Sequence, residues 1–115
     1  MDAANVNIEV IESDLGVDSM QRIQDAFRVL MSTLQRAPIS NEVTDALCSL
    51  PNPVTPPNTA WFFMQVEYRD GLYTEWHGRM GGYFDDGTFC KLKVNLPDTP
   101  YLYFLWRATR HTAAT

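Results

Sequence analysis

Glu75 and His77 are the residues of this sequence whose types and spacing come nearest to an acid–base pair. They stand two positions apart in a segment of alternating polarity, so both side chains lie on one face of a predicted strand. A carboxylate beside an imidazole can transfer protons in catalysis. Such positions are about 7 Å apart at the backbone, however, and no nearby motif supplies a nucleophile, an oxyanion site or a cofactor. We therefore expect a binding function, and the alternative is a cavity-forming domain that binds or converts a small molecule with Tyr73, Glu75 and His77.

The sequence lacks the residue patterns of a metal site or a phosphate-binding loop. His77 and His111 are far apart, and the two cysteines stand singly, so no pair has the spacing of a zinc site. The segment 85–87 could begin a calcium loop, but the later acidic ligands are missing, and a hairpin turn is the better interpretation. Gly81 and Gly82 lack the following helix and lysine of a phosphate-binding loop. We expect neither a metal nor a cofactor.

The composition is that of one ordinary globular domain. The chain has 115 residues, of which 45% are hydrophobic and 20% charged, enough to form a core without metals or disulfides. A net charge of −5 disfavours nucleic acids and anionic membranes and suits a cytoplasmic protein or one with a basic partner. We expect no signal peptide and no membrane span, because no segment has the necessary apolar run. Cys48 and Cys90 are predicted to be buried free thiols.

Strand and helix patterns alternate in the first half of the chain. Alternating apolar residues predict a short strand over 6–11. A long helix over 19–36 follows, with Asp18 as its N-cap. Its apolar stripe consists of Met20, Ile23, Phe27, Leu30, Met31 and Leu34. A short helix over 41–50 precedes the segment 51–59, whose four prolines predict a stiff, extended connector.

The second half of the chain is predicted to be an antiparallel β-meander over 60–109. The apolar pattern there changes to a period of two, and two Asp-Gly pairs mark its turns. A three-residue loop, with glycine in the left-handed bulge position, keeps one sheet face apolar. That register directs Phe62, Met64 and Val66 toward the long helix.

The last strands complete the predicted sheet. The second Asp-Gly turn sets Cys90 opposite Gly82. The final strand, 101–109, is apolar on both faces, so we expect both faces to be covered. The element order is then β-α-α-β-β-β-β, an α+β fold with one long helix on a curved antiparallel sheet of four or five strands. This element order resembles the cystatin-like roll, and the resemblance implies the fold alone.

The sheet face turned away from the helix is the candidate partner-binding surface. In the predicted register it mixes aromatic and charged side chains, namely Trp61, Phe63, Glu67, Tyr73, Glu75, His77, Arg79, Asp85 and Asp86. Phe104 and Trp106 of the final strand can join them. Trp, Tyr and Arg dominate the energetics of recognition patches. Two structural alternatives remain: cross-strand pairs also stabilise a sheet by about 0.2–1 kcal/mol each without a partner, or the Pro-rich segment or short helix covers this face.

The sequence therefore predicts a small, acidic, cytoplasmic protein-binding module. It would act by occluding a partner's surface or by assembly, as inhibitors, immunity proteins and phage anti-defence proteins do. A symmetric homodimer is another use of the same face.

Overall fold

The computed structural model describes residues 6–39, 41–67, 89–96 and 100–109 of the chain. The elements in these ranges are β1 (Asn7–Ser13), α1 (Val17–Leu34), α2 (Asn41–Cys48), β2 (Thr59–Glu67), β3 (Phe89–Asn95) and β4 (Pro100–Thr109). Two helices and one antiparallel sheet of four strands, counted over the described residues, confirm the predicted α+β class. Neither helix in these ranges is both long and apolar enough to cross a membrane.

Helix α1 has the predicted apolar stripe but different ends. Its buried apolar residues are Met20, Ile23, Phe27 and Met31. The N-cap is Gly16, without a side-chain cap, so Asp18 lies in the first turn. The helix ends before Gln35 because that residue adopts a left-handed backbone with φ of 59°, and its N–H donates to the Met31 carbonyl at 2.8 Å. The predicted helix therefore started and ended too late in the sequence.

An ion pair joins the ends of the two helices. The Arg36 guanidinium donates to both carboxylate oxygens of Glu42, at 2.8 and 2.6 Å. The same carboxylate accepts the backbone N–H of Ile39 at 2.9 Å. The hydrogen bond from Arg36, assisted by the one from Ile39, lowers the pKa of Glu42 from 4.5 to about 2. This pair links the residues after α1 to the first turn of α2.

We expect Glu42 to make the stability of the fold depend on acid pH. Because folding lowers its pKa, its contribution is fully present above about pH 4.5 and is lost as the pH falls toward about 2. Urea denaturation of the wild type and of Glu42→Gln should show the largest difference in unfolding free energy near neutral pH. That difference should shrink across the stated window. A difference that stays constant with pH would contradict the role of the carboxylate.

The Pro-rich segment folds back as a turn, whereas an extended connector was predicted. The Val54 N–H donates to the Pro51 carbonyl at 3.0 Å, and the Val54 side chain is buried. The Thr55 hydroxyl donates to the Leu47 carbonyl at 2.6 Å, in the last turn of α2. Arg107 of β4 donates to the Val54 carbonyl at 2.6 Å. These bonds hold the segment against α2 and the end of the sheet.

The strands follow the order β1-β3-β4-β2, which differs from the predicted meander. Strand β2 pairs with β4 along its whole length, and β4 lies between β2 and β3. Cys90 of β3 is opposite Ser13 on one side and Leu105 on the other. Both edges of β3 are therefore occupied, and the predicted pairing of Cys90 with Gly82 is wrong; Gly82 itself lies outside the described residues. Strand β4 is apolar on both faces, and Leu102 and Tyr103, on opposite faces, are both buried as predicted.

The sheet has two faces, which alternation along the strands and the registers define. The helix face packs on α1, α2 and the Pro-rich turn, and its core residues are Ile8, Trp61, Cys90, Leu92, Val94, Tyr103 and Leu105. The opposite face is called the outer face and carries Phe62, Met64, Val66, Phe89, Lys91, Lys93, Leu102, Phe104 and Trp106.

Candidate functional site

Trp61 lies in the core, although the sequence pattern placed it on the exposed face. Only 3% of its surface is accessible. Its Nε1–H donates to the Thr55 hydroxyl at 2.8 Å, and that hydroxyl donates to the Leu47 carbonyl at 2.6 Å. The Pro-rich turn therefore covers the indole, as one of the two structural alternatives supposed. The placement of Trp61 on an exposed surface is wrong.

Phe63 and Gln65 also point to the helix face, around the buried hydroxyl of Tyr103. The Phe63 and Tyr103 rings stack with their centroids 6.3 Å apart. The Tyr103 hydroxyl donates to the Pro38 carbonyl at 2.7 Å and accepts the side-chain N–H of Gln65 at 2.8 Å. The Phe27 ring meets Tyr103 edge-on at 5.0 Å. The face of β2 that meets the helices is therefore the reverse of the one predicted. Phe63 belongs to the packing between the helices and the sheet.

The Tyr103 hydroxyl links β4 to β2 and to the segment after α1. Burial raises its pKa well above the usual value, so it stays protonated at neutral pH. A protonated hydroxyl can donate to Pro38 while it accepts from Gln65, and both bonds connect different elements of the fold. The polar atoms of this cluster therefore fix how the packed elements are placed against one another.

The other predicted site residues fall into two groups. Glu67 is exposed at the end of β2, opposite Tyr101. The remaining six lie outside the described residues, and they are Tyr73, Glu75, His77, Arg79, Asp85 and Asp86. The small-molecule alternative with Tyr73, Glu75 and His77 lies there too.

The outer face presents a stacked aromatic pair at one end. Phe62 of β2 is opposite Trp106 of β4, and their ring centroids are 6.0 Å apart with an angle of 15° between the planes. Phe62 remains 43% exposed, and Trp106 is partly exposed. Trp106 was predicted for this face. Phe62 was missed because the predicted register directed its side chain toward the helix. The signal that could have identified Phe62 is the run of aromatics Trp61, Phe62 and Phe63, which gives β2 a large ring on each face.

The rest of the outer face is more deeply buried. Leu102 and Phe104 of β4 are almost inaccessible, and so is Lys91 of β3. The Lys91 ammonium lies 5.1 Å from the centroid of the Phe104 ring, within cation–π distance. In the register Lys91 is also opposite Glu12 of β1. Exposure on the outer face therefore rises from this buried middle toward the Phe62–Trp106 pair.

Strand β1 is an edge of the described sheet, and it is a poor site for adding another strand. Val10 and Ile11 are exposed there, but the register shifts between Val10 and Glu12, which makes Ile11 a bulge. Bulges and charged residues such as Glu9 and Glu12 are typical of edges that resist pairing.

The two thiols in the described part of the chain differ in exposure. Cys90 is buried as predicted, and burial raises its pKa to about 12, so the thiolate is scarce at neutral pH. Cys48 is exposed, which corrects the prediction that it is buried, because α2 turns it away from the core. Within the described ranges, no three His, Cys, Asp or Glu residues are grouped closely enough to hold a metal ion.

The fold defines an α+β protein with helices on one face of a four-stranded antiparallel sheet in the described ranges. Comparison with known proteins adds no family to this class: no family model, curated protein or solved structure matches the chain.

Proposed function

We propose that this protein is a small acidic protein-binding module, which acts by covering a partner's surface or by assembling with it through the outer face. The observation that carries the proposal is the half-exposed Phe62 ring stacked on Trp106, on the side of the sheet that the helices leave open. Large rings held in one orientation contribute contact area at a low cost in conformational entropy.

The surroundings of the aromatic pair support a binding surface. Met64 and Val66 continue the apolar surface along β2 and are only partly buried. Phe104 and Lys91, in the neighbouring middle of the face, are buried and pack against each other, so the exposed pair borders a region that is already covered. Interface hot spots are enriched in Trp, which makes Trp106 and the exposed Phe62 ring the candidate anchors.

The class of partner follows from charge and composition. The net charge of −5 favours a basic protein, as bound by small acidic inhibitors, immunity proteins and phage anti-defence proteins. A second copy of the chain is the alternative occupant. Free thiols at Cys48 and Cys90 are consistent with a cytoplasmic location, where disulfides are rare.

The same proposal includes a cystatin-like architecture and the remaining predicted site residues. One long helix packed on an antiparallel sheet supports a cystatin-like roll, since α1 buries Ile23, Phe27 and Met31 in the core shared with the sheet. The six predicted residues outside the described ranges stay part of the proposed surface. Trp61, Phe63 and Glu67 are withdrawn from it, because the register places all three on the helix face.

Affinity capture from the native host tests the proposal. Wild type, Phe62→Asp and Val29→Asp would serve as baits; Val29 is the matched control because it is exposed on α1, on the opposite side of the sheet. We expect wild type and Val29→Asp to retain the same protein and Phe62→Asp to lose it, with all three baits folded by circular dichroism. The retained protein must then bind the purified wild type directly.

Two outcomes would change the conclusion. Equal capture by all three baits would contradict the assignment of the outer face. A wild type that captures no other protein but forms a dimer, which Phe62→Asp dissociates on a sizing column, would make the second copy the occupant.

A further inference from the structure

We draw no further inference here: the strongest candidate, the apolar outer face of the sheet around Leu102 and Phe104, adjoins the surface of the proposed function, and nothing in the described part of the structure shows what covers it.

Discussion

Trp61→Ala should lower the free energy of unfolding by about 3 to 5 kcal/mol, the usual cost of removing a large buried aromatic side chain. The indole is 3% exposed and fills the space between β2 and the Pro-rich turn. Its removal also leaves the Thr55 hydroxyl without the Nε1–H that it accepts at 2.8 Å. Urea denaturation followed by far-ultraviolet circular dichroism would measure the loss.

The neighbouring residue supplies the control for this prediction. Phe62→Ala should cost clearly less, about 1 to 2 kcal/mol, because 43% of Phe62 is already exposed in the folded chain. Equal losses for the two variants, or a stable Trp61→Ala protein, would contradict the burial of Trp61 on the helix face, and a larger loss for Phe62→Ala would favour the faces first predicted from the sequence. Trp61→Phe separates packing from the hydrogen bond, since it keeps a ring and loses the donor.

Tyr103→Phe should lower the free energy of unfolding by about 1 to 3 kcal/mol, the cost of leaving buried polar groups unpaired. The variant keeps the ring that packs on Phe27 and removes only the hydroxyl. The Pro38 carbonyl then loses its donor and the Gln65 amide loses its acceptor. The same denaturation measurement applies, and the loss should be nearly independent of pH around neutrality because the hydroxyl does not ionise there.

A matched control lies two positions away on the same strand and face. Tyr101 is partly exposed, and its hydroxyl has no hydrogen-bond partner among the described residues. Tyr101→Phe should therefore change the free energy of unfolding much less than Tyr103→Phe. Similar small losses for both would contradict the role assigned to the buried hydroxyl.

Local patterns predicted the elements of the first half of the chain well. The apolar stripe of α1 identified the helix, since Ile23, Phe27 and Met31 recur at helical spacing and all are buried. Its ends were less predictable. Gln35 ends the helix in a left-handed conformation, which glycine or asparagine usually adopts at such a position. The fold of the Pro-rich segment depended on Arg107, which is distant in sequence.

The faces of β2 show the limit of periodicity. A period of two predicts which residues share a face, but it does not say which face meets the helices when both carry aromatic rings. The predicted faces of β2 followed from an assumed turn after the strand, whereas the faces in the structure follow from partners elsewhere in the chain. Thr55 binds the Trp61 indole, and Tyr103 binds Gln65. Trp106 was assigned correctly because β4 was analysed from its own alternation.

Strand order was likewise beyond local reasoning. The two Asp-Gly pairs favoured hairpins between consecutive strands and hence a meander. Strand β4 instead lies between β2 and β3 and pairs with both of them.

Thiol footprinting tests most directly whether the outer face binds the partner. In a Cys48→Ser background, the remaining native thiol, Cys90, is buried with a raised pKa and should react slowly. Met64→Cys and Val29→Cys each add one reactive thiol, and alkylation is followed by mass spectrometry with and without the captured partner; Met64 lies on the outer face beside Phe62 and leaves the aromatic pair intact. We predict that the partner slows alkylation at position 64 at least about tenfold and leaves position 29 unchanged. Equal alkylation rates at position 64 with and without a saturating partner would contradict the outer face as the binding surface.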